Sequence, residues 1–163
     1  MPTQSMITIN SLAWLEPPSG GVVSSLARGS IPVLRFANTD GTGVLFLATL
    51  PTWYQSTGFS IRYQINRSTD GTDNQNARFE AAFAQPADAI TPVFGSFIGA
   101  DVSLSGTASI SREGVITITH VQAGSPSVGE PLLIHFRRNT TAVGAPAATI
   151  AVDCWAWSLT QEV

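Results

Sequence analysis

Few side chains in this sequence are of a type that does chemistry, and none stands at a recognisable catalytic spacing. The two histidines, His120 and His135, have no Cys, His, Asp or Glu nearby at a metal-ligand spacing. Cys154 lies within an apolar run, which indicates a buried and unreactive thiol. No Gly-x-Ser-x-Gly motif marks a catalytic serine. These residues predict no catalytic, metal or cofactor site.

Residues 70–76, Asp-Gly-Thr-Asp-Asn-Gln-Asn, are rich in the oxygen groups that bind Ca²⁺. They lack the spaced carboxylates and final bidentate Glu of an EF-hand loop. Asp, Asn and Gly are also the residues that turns favour, so we interpret the segment as a solvated loop. Two carboxylates converging from distant loops would suit glycoside hydrolysis, but the sequence marks no such pair. The prediction is a protein that is not an enzyme.

The most suggestive local pattern is the last apolar segment. Asp153, Trp155 and Trp157 alternate with smaller apolar residues, so a strand would place these three side chains on one face. Both faces of that strand are then largely apolar, which predicts a central strand or one covered by a partner subunit. A tryptophan beside a carboxylate would also suit stacking against a sugar ring. We therefore name these three residues as interface candidates, with a glycan as the alternative partner.

The composition excludes several classes of function. There is no lysine, charged residues make up 12% of the 163 positions, and the formal net charge is −3. Such a chain lacks the cationic surface that nucleic-acid binding usually needs. No apolar run approaches the roughly 20 residues of a membrane helix, so we expect no membrane partner. Hydrophobic residues reach 44%, which is enough for a core of its own.

Residues 59–66 give the clearest strand pattern. Phe59, Ile61, Tyr63 and Ile65 are predicted to face a core, because large apolar residues recur there with a period of two. Arg62 and Gln64 are then expected to be exposed or at an interface.

Other segments predict about eight strands in all, with no helix. Residues 31–37 and 44–50 flank an Asp-Gly-Thr-Gly turn signal, which predicts a hairpin. Residues 77–83 suit a helix or a strand, and we favour a strand. Residues 107–121 are expected to turn at Arg112-Glu113-Gly114, and further strands are expected over 132–138 and 148–159. The pattern predicts an all-β fold, which could be a sandwich, a jelly roll or a barrel, and we favour an antiparallel β-sandwich of jelly-roll type.

The first 21 residues are interpreted as a short N-terminal arm or edge strand with a Pro/Gly linker, ahead of a jelly-roll domain over 22–163. Two prolines and two glycines at positions 17–21 take the chain out of any sheet. The apolar side chains before that break need a partner sheet, in the same chain or in a neighbour. They are also interface candidates: Met6, Ile7, Ile9, Leu12, Trp14 and Leu15.

Residues 129–139 and 147–157 carry a resemblance to a known family. A Gly-acid turn, a strand closing on Arg-Arg-Asn, a polar loop and a last strand with aromatic residues together resemble small jelly-roll virion proteins of tailed bacteriophages. Residues 59–66 and 77–83 are similar to the paired middle strands of that group. The loop over 140–146 departs from the pattern, because it lacks acidic residues. The resemblance covers about residues 31–160.

The resemblance implies assembly rather than catalysis. Members of the group are capsid decoration (cement) proteins or tail-fibre domains, and they are commonly trimeric. We therefore expect a homotrimer that binds the major capsid protein on the virion surface and stabilises the head. The alternative expectation is a tail-fibre jelly-roll domain that binds a receptor or a carbohydrate. The third expectation is an enzyme, such as a small β-sandwich hydrolase or a cupin-like protein. A cupin needs a cluster of histidines, and the two separated histidines of this sequence do not supply one.

Overall fold

The chain forms two antiparallel β-sheets. The computed structural model describes residues 3–9, 24–39, 41, 43–85, 92–141 and 147–162. These residues form ten strands: β1 (Thr3–Ile9), β2 (Ser24–Arg28), β3 (Ile31–Phe36), β4 (Gly43–Thr49), β5 (Phe59–Arg67), β6 (Gln75–Ala84), β7 (Ile98–Leu104), β8 (Arg112–Ile118), β9 (Pro131–Asn139) and β10 (Val152–Glu162).

Six strands form the first sheet: five lie in the order β2-β3-β10-β5-β8, and β1 pairs with β10. The long strand β10 is central, and its two halves have different neighbours on one side. Val152–Cys154 pairs with β3, whereas the second half pairs with β1, from Thr3 opposite Glu162 to Ile9 opposite Trp157. The first residues of the chain thus form an edge strand on β10 of the same chain. The domain boundary at residues 21 and 22 stays a prediction.

The other four strands form the second sheet, in the order β4-β9-β6-β7. The predicted hairpin between β3 and β4 is wrong, because β3 pairs with β2 and β10 and β4 pairs with β9. The connecting residues carry the chain from one sheet to the other, a gap of about 10 Å in sandwiches. The Gly41 N–H donates to the Arg138 carbonyl of β9 at 3.1 Å, next to the β4–β9 pair of Gly43 and Arg137, so the chain has already reached the second sheet there. The favoured strand over 77–83 is confirmed as β6, which lies in the opposite sheet from β5 and does not pair with it.

The core lies between the sheets and is rich in aromatic rings that contact one another. Phe36 and Tyr63 of the first sheet meet Phe79 and Phe136 of the second, with ring centroids 5.1–5.8 Å apart. The predicted inward set of β5 is confirmed, since all four of its members are buried: Phe59, Ile61, Tyr63 and Ile65. Arg62 and Gln64 are partly exposed on the other face. The period-two pattern therefore identified the core face of this strand correctly.

The turn predicted at Arg112-Glu113-Gly114 is wrong, because these residues begin β8 and pair with β5. Gly114 lies directly opposite Tyr63, whose ring occupies the space beside it. A Cβ at position 114 would lie 2.2 Å from the ring carbon Cζ of Tyr63. The glycine thus marks a close approach inside a strand rather than a turn.

Arg138 joins the two sheets from inside the molecule. It lies on β9, only 1% of it is exposed, and its guanidinium has no carboxylate partner among its hydrogen bonds. It donates to four backbone carbonyls and one side chain: Phe36, Ala37, Ala148, Ile150 and the Oδ1 of Asn38. Burial lowers the pKa of Arg138 to about 10, so the side chain is still charged at neutral pH.

The fold is all-β, an antiparallel sandwich of jelly-roll type, as predicted. The described residues contain ten strands where about eight were expected. Within these residues no helix has the length and apolar character needed to cross a membrane.

Candidate functional site

The outer face of the six-stranded sheet carries the chemistry that the sequence places at the end of the chain. Asp153 of β10 stands opposite Arg35 of β3 on one side and opposite Asn66 of β5 on the other. Two residues further along β10, Trp155 stands opposite Gln64 of β5. Three adjacent strands thus bring acidic, basic, amide and aromatic side chains together on one face.

Asp153 is fully buried although it lies on the outer face, because two arginines cover it. Arg35 holds it in a bidentate pair, with Nε 2.7 Å from Oδ1 and Nη2 2.9 Å from Oδ2. The Nε of Arg28 approaches Oδ2 to 2.7 Å. The hydrogen bond to Asp153 raises the pKa of Arg35. The carboxylate is therefore a fixed anchor for two guanidinium groups that remain about one-third exposed.

Trp155 forms one wall of an open cleft of about 240 Å³, here called the Trp155 cleft. Its other walls come from β2, β3, β5 and the segment before β8: Arg28, Ile31, Val33, Asn66, Ala108, Ser109 and Ser111. Ligand pockets usually measure about 300–1,000 Å³, so this cleft suits a single ring-sized group.

The polar groups around the cleft are held in place before any ligand arrives. Asn66 is 5% exposed, and its Nδ2 donates to the Ala108 carbonyl at 2.9 Å. Arg28 donates from Nη1 to the same carbonyl at 2.7 Å and from Nη2 to the Ser68 carbonyl. Because these side chains are already ordered, less of their conformational entropy is lost when a ligand binds.

The facing predicted for Trp157 is wrong. The register of β10 against β5 shifts between Trp155 and Ser158, and Ala156 adopts a positive φ of 54°. This bulge adds a residue and turns Trp157 inward. The indole is fully buried, 5.6 Å from the ring of Phe46 and 6.2 Å from that of Phe136. Trp157 is therefore a core residue, while Asp153 and Trp155 stay on the outer face.

The N-terminal interface candidates fall partly within the described residues. Met6, Ile7 and Ile9 belong to β1, beside β10. Leu12, Trp14 and Leu15 lie outside the described residues. An interface role for either group stays a prediction.

The outer face of the four-stranded sheet holds His135. The ring packs between Phe94 and Phe97, with centroids 5.4 and 5.2 Å away, and only 5% of the residue is exposed. The Arg137 guanidinium lies 3.4 Å above the Phe97 ring. Burial, assisted by the charge of Arg137, lowers the pKa of His135 to about 4. The imidazole is thus neutral and enclosed, a packing residue rather than a general base in contact with solvent.

Glu80 accepts hydrogen bonds from three side chains on the same face. Burial alone would raise its pKa, but hydrogen bonds from Arg137, Asn139 and Arg78 hold the pKa below its usual value. Arg137 donates from Nε and Nη2 at 3.1 and 2.9 Å, and Asn139 donates at 2.8 Å. The carboxylate is therefore committed to binding side chains of the sheet.

The acidic loop after β5 is organised around an arginine. Arg67 is 3% exposed, and it donates to the carbonyls of Thr69 and Thr72 and to the Oε1 of Gln75. The loop carboxylates accept backbone N–H groups, Asp70 from Ala108 and Asp73 from Gly106. A guanidinium thus binds the loop carbonyls that a Ca²⁺ ion would otherwise use. Across the described residues, no three His, Cys, Asp or Glu side chains come close enough to bind a metal ion.

The remaining sequence candidates take structural positions. Cys154 is fully buried, as predicted, and burial raises the pKa of its thiol. His120 lies in a turn after β8 rather than in a strand, and its Nδ1 is 2.8 Å from the hydroxyl of Tyr54.

A second, larger cleft of about 580 Å³ lies at one end of the sandwich, here called the end cleft. It opens between the segment before β7 and the turn after β8, with Phe94 on one wall. Val93 and Val121 stand on its rim and are 87% and 77% exposed. No charged residue lines it among those that the structure describes.

The sequence identified Asp153 and Trp155 but missed their partners. Arg28, Asn66, Ser109 and Ser111 come from three separate segments, and nothing in their local sequence marks them. The one available signal was the polar face of β5, where Asn66 continues the row of Arg62 and Gln64.

No family model matches the chain, and no curated protein matches it. Solved structures do share its fold. A xylan-binding module, CBM15, matches with a TM-score of 0.54 at 15% identity, over 96% of this chain and 99% of that one. The CBM22-1-CBM22-2 tandem domain of Paenibacillus barcinonensis Xyn10C gives 0.54 at 14% identity, over 99% of this chain and 51% of that one.

A third match is Xylanase10C (mutant E385A) from Cellvibrio japonicus in complex with xylopentaose, with a TM-score of 0.55 at 13% identity. It covers 96% of this chain and 29% of that one. At such low identity these matches establish the jelly-roll fold, and function has to be argued from the site.

Proposed function

We propose that this chain is a non-catalytic jelly-roll domain that binds a glycan in the Trp155 cleft. The observation that carries the proposal is the position of Trp155, a partly exposed indole beside fixed polar groups on the outer face of the six-stranded sheet. The fold that the chain shares with a xylan-binding module supports the same interpretation.

The chemistry of the cleft suits a sugar. A sugar ring presents apolar C–H groups on its faces and hydroxyls around its edge. The C–H groups can pack against an indole, which offers a large apolar face and loses little conformational entropy on binding. The sugar hydroxyls can bind the donors and acceptors around the cleft, which are the amide of Asn66, the hydroxyls of Ser109 and Ser111 and the guanidinium of Arg28.

The acidic groups near the cleft favour binding over hydrolysis. Asp153 is buried between Arg28 and Arg35, and Glu113 pairs with Arg62 at 3.0 Å. Carboxylate oxygens that already bind guanidinium groups are not free to act on a glycosidic bond. This arrangement supports a role without catalysis, which stays part of the proposal.

Calorimetric titration with soluble oligosaccharides, beginning with xylopentaose, tests the proposal. We expect saturable binding by the parent protein and a loss of about tenfold or more in affinity for Trp155→Ala, since contact anchors are typically worth more than about 1.4 kcal/mol. Trp53→Ala is the matched control, because Trp53 lies in the turn after β4, is 37% exposed and does not line the cleft. Unchanged affinity in a folded Trp155→Ala variant, or no binding of any oligosaccharide by the parent, would overturn the proposal.

The capsid decoration role, the trimer and the virion location stay predictions that rest on the sequence resemblance. The matched structures named above are a xylan-binding module, a CBM22 tandem domain and a xylanase in complex with xylopentaose, so they favour the glycan-binding alternative.

A further inference from the structure

The charge around Asp153 is unevenly divided. One buried carboxylate pairs with two guanidinium groups, those of Arg28 and Arg35. Both arginines remain partly exposed, with 30% and 35% of their side chains accessible. The cluster therefore carries one positive charge more than its internal partner balances, in a protein whose formal net charge is −3.

Of the two arginines, only Arg28 lines the Trp155 cleft. A guanidinium has five N–H donors. Arg28 donates one N–H of Nη1 to the Ala108 carbonyl and one of Nη2 to the Ser68 carbonyl, and its Nε lies 2.7 Å from Oδ2 of Asp153. The second N–H of Nη1 and of Nη2 has no partner among the described residues, on a side chain whose position the other three contacts already fix.

Two nearby carboxylates, those of Asp70 and Asp73, do not balance this extra positive charge. Asp70 is exposed on the neighbouring loop, where it accepts the Ala108 N–H, and Asp73 accepts the Gly106 N–H beside Arg67. Neither lines the cleft. Because exposed charges are screened by water and salt, their field at Arg28 is weaker than that of a group bound inside the cleft.

We infer that the Trp155 cleft selects a glycan that carries an oxyanion on its ring, with Arg28 binding the anionic group while Trp155 stacks against the sugar. This inference rests on the proposed function and names its ligand class. A uronic acid carboxylate and a sulfate ester share the required chemistry. Guanidinium groups bind both with charge-assisted hydrogen bonds, which are stronger than neutral ones.

The test compares three ligands on the whole chain: xylopentaose, a xylo-oligosaccharide of similar length substituted with glucuronic acid, and a sulfated one. We expect at least one acidic ligand to bind about tenfold more tightly than xylopentaose in low salt. The preferred acidic ligand identifies the source of the anion. Raising the salt concentration should reduce this preference, because salt screens a partly exposed charge pair.

Two variants assign the preference to Arg28. Arg28→Gln should abolish the preference for the acidic ligand, because the glutamine amide can still bind a sugar hydroxyl but carries no charge. The affinity for the acidic ligand should therefore fall about tenfold further than the affinity for xylopentaose, while the Trp155 wall stays intact and Asp153 keeps its bidentate partner Arg35. Arg28→Lys should restore part of the preference. Arg62→Gln is the matched control, because Arg62 lies on the same sheet face and its partner Glu113 also lies outside the cleft.

The outcomes separate the two proposals. Equal affinity of the parent for all three ligands, or equal loss of preference in Arg62→Gln, overturns the anion inference and leaves glycan binding standing. Binding of none of the three by the parent overturns both for this class of glycan. If Arg28→Gln does not fold, the ratio of the affinities for the acidic ligand and for xylopentaose still decides the inference, because it can be measured in the parent and in Arg28→Lys.

Discussion

At the scale of single residues, the structure separates side chains that the sequence treats alike. Arg137 and Arg138 are adjacent, yet Arg137 lies over the Phe97 ring on the outer face and Arg138 is buried between the sheets. Aspartate is usually found at the protein surface, yet Asp153 is completely covered by two arginines. Period-two alternation explains the first difference, whereas the second depends on side chains from other strands.

His135 gives a prediction on acid stability. Its pKa is about 4 in the folded protein and about 6.5 in an unfolded chain. The unfolded state therefore binds more protons in this range, so stability falls as the pH falls from 6.5 towards 4. We expect a loss of about 2 kcal/mol in the free energy of unfolding between pH 7 and pH 5.

Urea unfolding at several pH values measures this loss, with His135→Gln as the control. The variant retains His120, so the difference between the two pH profiles isolates His135. Glu80 contributes in the same direction only at lower pH, because its pKa is already below the usual value. Parallel profiles for the parent and the variant between pH 7 and pH 5 would refute the assignment.

At the scale of elements, regular strands could be predicted and their irregularities could not. The pattern over β5 fixed its core face because every second residue is large and apolar. The hairpin between β3 and β4 was predicted from a turn signal, but a turn signal does not tell whether the next strand joins the same sheet. Trp157 was misplaced because a one-residue bulge reverses the facing of everything after it.

The cleft was predictable only in part, for the same reason. Asp153 and Trp155 precede the bulge, so simple alternation placed them on the correct face. Arg28, Asn66 and Ser111 reach the cleft through strand order, which brings β2, β3, β10, β5 and β8 side by side. Strand order depends on long-range pairing that local patterns do not record.

The bulge itself can be tested at Ala156. A non-glycine residue at positive φ is strained, and a β-branched residue there is strained further. Ala156→Gly should leave stability unchanged or raise it by up to about 1 kcal/mol, whereas Ala156→Val should lower it by about 1–3 kcal/mol. Denaturant midpoints of the three proteins measure the order. If valine were tolerated as well as glycine, Ala156 would not adopt this conformation in solution.

At the scale of the whole molecule, the two sheets are joined by packing and by Arg138. Its guanidinium bonds the end of β3 and the residues leading into β10, although it originates from β9 in the other sheet. Arg138→Met keeps much of the volume but leaves several carbonyls without a donor. We expect a loss of about 3–5 kcal/mol in the free energy of unfolding, because each unsatisfied buried group costs about 1–3 kcal/mol.

Chemical denaturation of Arg138→Met, compared with Arg137→Met, checks this expectation. Arg137 is partly exposed on the outer face, so its replacement should cost clearly less. Equal losses would show that Arg138 does not join the sheets as described. The homotrimer predicted from the sequence belongs to the same scale, and light scattering at micromolar concentration would decide it.

The central claim is that a glycan binds in the Trp155 cleft on the sheet face, and the indole N–H signals of the four tryptophans in an NMR titration test it most directly. During titration with xylopentaose or its acidic counterpart, the Trp155 signal should shift progressively and saturate. The Trp157 signal should move much less, because that indole is buried in the core. A Trp155 signal that stays unchanged while residues of the end cleft shift, or no shift anywhere at saturating ligand, would contradict the account.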